Sequence, residues 1–139
     1  MAWAKLATKT LTSVGDIVTT DVITLPTKFN TFVSHLLQSS TIRNQVRLGK
    51  TSIDTSSNYA NRICYNNLES TNSSMDRAYV EDTGGAFDHF VFGYIINIST
   101  EEKLGICWTI NQNTTGAASA PNRSESVFKW VNTSNQFDL

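Results

Sequence analysis

His89-Phe90-Val91-Phe92-Gly93-Tyr94-Ile95-Ile96-Asn97 and, after the polar link Ser99-Thr100-Glu101-Glu102, Lys103-Leu104-Gly105-Ile106-Cys107-Trp108-Thr109-Ile110-Asn111 decide the fold. Both segments alternate with period two. Phe90, Phe92, Tyr94 and Ile96 share one face, with Val91, Gly93 and Ile95 on the other. Leu104, Ile106, Trp108 and Ile110 likewise oppose Gly105, Cys107 and Thr109. Successive side chains of a strand point to opposite faces, whereas a helix would space its apolar residues three and four apart. The segments therefore predict an antiparallel hairpin. Because the first strand is apolar on both faces, it is expected in the middle of a sandwich, buried on both sides, with Trp108 in the core.

The same alternation extends outward. Residues 123–131 set Ser126, Phe128 and Trp130 against Val127, Lys129 and Val131, which places Trp130 in the core as well. Further strands are predicted at 3–11, 16–23, 29–38, 45–48, 58–65 and 77–80. Segments 49–57, 66–74 and 112–122 are small and polar and read as loops. No useful window has helical periodicity. The expectation is one domain over residues 1–139, an all-β antiparallel β-sandwich, jelly-roll-like, of about 8–10 short strands with little or no helix. After the turn Asn132-Thr133-Ser134-Asn135, a new alternation begins at Gln136-Phe137-Asp138-Leu139 and stops. The closing strand of the sandwich is thus expected either from residues that follow Leu139 or from another subunit, and in the second case Phe137 and Leu139 mark an open edge where assembly takes place.

Composition narrows the partners. Eleven Lys plus Arg balance twelve Asp plus Glu, so there is no field to gather nucleic acid or an anionic membrane surface. No stretch approaches the roughly 18–20 apolar residues of a membrane-spanning helix. Eighteen Thr, fifteen Ser and thirteen Asn, about a third of the chain, suit a strand-and-turn protein with a neutral polar surface. Met1-Ala2-Trp3-Ala4-Lys5-Leu6-Ala7 enters strand alternation without the apolar core of a signal peptide, so synthesis in a cytoplasm is expected. Cys64 and Cys107 are too far apart for a metal or redox CxxC pair and are expected as free thiols.

Catalytic chemistry finds no support. His35 and His89 lie mid-strand without a nucleophile at a useful spacing, and no HExxH, P-loop, GxGxxG or GxSxG occurs. The acidic stretch from Glu81 to Asp88, with Asp76, matches no calcium loop and reads as a solvated turn around Gly84-Gly85. No cofactor and no metal are expected. The most suggestive stretch is Asp54-Thr55-Ser56-Ser57-Asn58-Tyr59-Ala60-Asn61-Arg62. Asp54 and Asn58 can each close a turn onto backbone amides, while Tyr59 and Arg62 bring an aromatic anchor and a cationic fork into the next strand. A self-bonded loop capping the sandwich and a ligand site both fit that pattern.

Three segments carry a family resemblance: residues 54–62; Gly93-Tyr94-Ile95-Ile96-Asn97-Ile98-Ser99-Thr100-Glu101-Glu102-Lys103-Leu104; and Asn113-Thr114-Thr115-Gly116-Ala117 with Ala120-Pro121-Asn122-Arg123 through Lys129-Trp130. Together they resemble β-sandwich modules of virion structural proteins from tailed phages and related marine viruses, of the tail-fibre or head-decoration type. The similarity runs from Trp3 to Ser134. Members commonly open the first loop with Asn-Gly-Asp-Thr-Gly, where this chain has Gly49-Lys50-Thr51-Ser52-Ile53-Asp54-Thr55. Members also continue past the position of Leu139 with a further strand. No catalytic residues come with the family.

The resemblance implies a non-enzymatic virion protein that decorates the capsid or forms part of the tail, made in the host cytoplasm. It would contact other virion proteins and form a homo-oligomer, with a trimer expected. A tail-fibre module binding a host-surface glycan or receptor, using the end loops with Tyr59, Arg62 and the Asn-rich segment 111–122, is the alternative, and Asp54 and Asn58 join Tyr59 and Arg62 as candidate ligand or interface residues. An extracellular filament subunit joined by strand donation is the third.

Overall fold

The computed structural model describes residue 8 and residues 29–37, 43–81 and 88–138, with 29–37 described as backbone. The strands expected at 3–11 and 16–23 lie outside the described residues, apart from the exposed Thr8. Ten strands follow: β1 (Phe29–Leu37), β2 (Gln45–Val46), β3 (Gly49–Lys50), β4 (Ser52–Ile53), β5 (Tyr59–Tyr65), β6 (Leu68–Met75), β7 (Ala78–Tyr79), β8 (Asp88–Ile96), β9 (Lys103–Asn111) and β10 (Asn122–Trp130). The described residues contain no helix. The protein is an all-β antiparallel sandwich.

One six-stranded sheet, in the order β1-β8-β9-β10-β5-β6, dominates, and its neighbours run antiparallel throughout. The expected hairpin is its centre. β8 and β9 pair without a register break from His89 opposite Asn111 to Ile95 opposite Gly105. Among the described residues the second layer consists of two short pairs, β2 with β7 and β3 with β4, joined by irregular chain. In that layer β7 packs over β5 and β10.

Segment 66–74, expected as a loop, is largely a strand. Asn66 and Asn67 both have positive φ, 45° and 71°, as a two-residue hairpin turn of primed type requires. β6 then pairs back on β5 from Leu68 opposite Tyr65 to Met75 opposite Tyr59. Its sequence, Leu-Glu-Ser-Thr-Asn-Ser-Ser-Met, hides the strand because an edge strand with solvent on one side needs no apolar alternation. Residues 49–57 also contain more than a loop. β3 and β4 form a minimal hairpin around Thr51, whose φ is 61°.

The central strands are not buried on both sides. Along β8 the buried positions are His89, Val91, Gly93 and Ile95, and along β9 they are Lys103, Gly105, Cys107, Thr109 and Asn111. The richer apolar faces point away from the second layer. On β10 the inner residues are Ser124, Ser126, Phe128 and Trp130, so Trp130 is core as expected, while Trp108 is not.

Two physical causes select the poorer faces for the interior. The described part of the second layer is mostly irregular backbone, so the sheet offers it hydrogen-bond partners. Ser126 Oγ donates to the Tyr79 carbonyl at 2.6 Å, and Thr109 Oγ1 donates to the Val80 carbonyl at 3.0 Å. Lys103 Nζ donates to the carbonyls of Glu101 and Asn132, close to the Trp130 ring. Room is the second cause. A Cβ on Gly105 would stand 2.2 Å from the Phe128 ring, so only glycine lets that ring lie flat on β9. The core comprises Leu48, Tyr59, Ala78, Val80, Val91, Ile95, Cys107, Phe128, Trp130 and Phe137.

Candidate functional site

Asp54 organises the loop that the sequence singled out. One carboxylate oxygen accepts the Ser56 backbone N–H at 2.8 Å, closing the expected turn. The other accepts Asn58 Nδ2–H at 2.9 Å and Trp130 Nε1–H at 2.7 Å. Burial alone would raise the carboxyl's pKa, but the hydrogen bonds from Asn58, Trp130 and Ser56 outweigh it and hold it at about 2. A depressed folded value adds stability above the unfolded value of about 4 that is lost as pH falls through the folded one. Acid unfolding monitored by tryptophan fluorescence is therefore expected to shift to higher pH in Asp54→Asn, with the two proteins converging below about pH 2.

Tyr59 sits beneath this loop. Its ring lies 6.4 Å from that of Trp130 at an interplanar angle of 18°. Its hydroxyl accepts the Leu48 N–H at 2.8 Å and shares its proton between the carbonyls of Leu48 and Asp54, at 2.9 and 3.1 Å. Burial pushes its pKa up to about 12. Tyr59 anchors the second layer to the sheet and presents nothing to a ligand. Arg62, three residues along β5, faces the opposite side by strand parity and is exposed. Asp54, Asn58 and Tyr59 thus come together, and Arg62 does not join them.

Phe137 also turns inward. Its N–H donates to Asn97 Oδ1 at 2.8 Å and its carbonyl accepts Asn97 Nδ2–H at 2.9 Å, so one amide side chain imitates a neighbouring strand. Asp138 completes the docking. Its N–H bonds the Gly49 carbonyl at 2.9 Å, and its carboxylate takes the Thr51 N–H at 2.9 Å and Lys50 Nζ at 3.2 Å. The backbone of Phe137, expected at an open edge, is thus bonded within the chain, and Leu139 lies outside the described residues.

Between the β3–β4 hairpin and this tail runs an open polar groove of about 340 Å³, lined by Lys50, Ser52, Asp54, Thr55, Trp130 and Asn132 among others. Trp130 is 1% exposed, so the groove has no aromatic platform. Elsewhere, Glu81 and His89 form a buried pair, carboxylate to Nδ1 at 2.7 Å, and Glu81 also accepts the Asn44 N–H at 2.8 Å. Burial raises the Glu81 pKa against the lowering effects of Asn44 and His89. Asp76 is held by Arg47 and Arg77, so Glu81 and Asp76 are both engaged within the protein, while Asp82 and the expected turn around Gly84-Gly85 lie outside the described residues. Among the described residues no three of His, Cys, Asp and Glu gather as a metal-binding group. Both cysteines are free, and burial pushes the Cys107 thiol up to about 12.

The largest unexplained feature is the outer face of the sheet. Phe90, Tyr94, Leu104, Trp108, Ile110 and Val127 stand 39–50% exposed across β8, β9 and β10. Register sets them in rows: Phe90 beside Ile110, Phe92 beside Trp108, and Tyr94 beside Ile106, which has Val127 on its other side. Phe92 and Tyr94 meet edge to face at 4.9 Å, and Trp108 lies 6.2 Å from each. Trp108 Nε1 donates to Glu125 at 3.0 Å, so the ring is fixed in place. The alternation revealed these residues but assigned them to the core. No protein-family model, curated protein or solved structure matches the chain.

Proposed function

We propose that the protein is a non-enzymatic structural subunit of a virion, decorating the capsid or forming part of the tail, and made in the host cytoplasm before assembly. The observation that carries this reading is the ordered apolar outer face. Its aromatic rows are packed against one another yet remain open to solvent, and contiguous apolar surface of this kind marks a contact with another protein. The resemblance of the β8–β9 hairpin and the 113–130 segment to virion sandwich modules supplies the setting. The particle is reconstructed by electron cryomicroscopy to test the reading. The sandwich is expected in the shell or tail with its outer face against a neighbouring subunit. A particle in which the chain has no place in shell or tail overturns it.

Glycan binding is the second reading, favoured by the polar groove beside Asp54. It ranks lower because Tyr59 is buried and Arg62 lies on the opposite face. Strand donation loses its motive, since the backbone of Phe137 is already paired to Asn97.

A further inference from the structure

We infer that the occupant of the outer face is a second copy of this chain, packed sheet to sheet about a two-fold axis. This rests on the assembly reading above and names its first contact. The exposed rows on β8, β9 and β10 amount to on the order of 500 Å² of apolar surface, near the upper end of what monomers carry. Two such faces with their polar margins bury roughly 1,000–1,500 Å² together, which reaches the size of specific, stable interfaces. Stacked sheets sit about 10 Å apart, a gap that side chains from both faces fill by interdigitation.

Charge and symmetry point the same way. The margin on the β10–β5–β6 side carries both signs, with Arg123, Glu125 and Lys129 along β10, then Arg62 on β5 and Glu69 on β6. A copy therefore meets no wall of like charge, and a net charge of −1 leaves little repulsion between chains. A two-fold contact needs one self-complementary patch, whereas a three-fold ring needs two different ones. The described surface carries one large apolar face, so pairing replaces the trimer that the family resemblance implied.

The full chain is tested by sedimentation velocity over a thousandfold concentration range. A species of twice 15.4 kDa is expected, together with at least a hundredfold weaker association in Leu104→Glu and Ile110→Glu and none of that loss in the loop variant Thr114→Glu. Near-UV circular dichroism confirms that each variant is folded. If a Glu variant unfolds, Leu104→Gln takes its place. A wild-type chain that stays monomeric overturns the inference, whether Trp108 is shielded by residues 1–28 or bare and awaiting a different virion protein. A trimer, or a dimer that is insensitive to Leu104→Glu and Ile110→Glu, overturns it equally. These failures leave the virion reading standing. Absence of the chain from the particle removes that reading even if the dimer forms.

Discussion

Tyr59→Ala is expected to cost about 3–5 kcal/mol of folding stability, the range for removing a large buried aromatic and a large fraction of the total for a domain this size. The ring is 1% exposed and stacked beside Trp130, and its hydroxyl is the partner of the Leu48 N–H and of two carbonyls. Tyr59→Phe keeps the ring and strands only those backbone groups, so it should cost about 1–3 kcal/mol. Urea denaturation measures both. The same burial gives an alkaline signature. A phenol held at about 12 when folded favours the fold below its unfolded value of about 10, and that stability is lost as pH rises through the folded value. A Tyr59→Ala protein with undiminished stability would return the residue to the list of ligand candidates.

The second large effect is expected at His89. It and Glu81 are both within 1% of complete burial, and removing one member of such a pair strands the other's charge. His89→Ala should cost about 3–5 kcal/mol at neutral pH, read from the same denaturation experiment. The loss is pH-dependent with a definite sign. With His89 gone, burial raises the Glu81 carboxyl further, so the folded variant binds a proton that the unfolded chain releases. Its stability must then increase as pH falls toward the unfolded carboxyl value and decrease as pH rises. A deficit that is flat with pH would mean that the pair carries no charge.

The sandwich was legible in its central strands and less so toward its edges, for reasons that particular residues make plain. β8 and β9 alternate strongly because each has a face of large apolar side chains, and β10 alternates over its second half through Phe128 and Trp130. β6 was invisible because Ser, Thr, Asn and Glu serve an edge strand as well as a loop; the signal present was the Asn66-Asn67 pair, which accepts two positive φ values. Parity assigned side chains to faces but did not say which face was inside. Counting apolar residues favoured the wrong one, because an irregular second layer needs Ser126, Thr109 and Lys103 more than it needs more leucine. Trp108 and Trp130 illustrate this: similar alternation, opposite fates.

The candidate site divided in the same way. The turn at Asp54 was legible because an Asx turn is a local bond, formed with Ser56 two residues on. The docking of Phe137 by Asn97 was not, since it joins residues forty apart through a side chain that could have bonded anywhere. Arg62 was separable from Tyr59 by parity alone, an odd offset along one strand.

Oxidative footprinting of the tryptophans, across a dilution series of the full chain, tests most directly whether one face of the sheet is a core and the other a surface for association. Trp130 should be protected at every concentration, and Trp108 should react when dilute and become protected as concentration rises. Protection of Trp108 that does not change with dilution, or reactivity of Trp130 in the folded chain, would contradict the account.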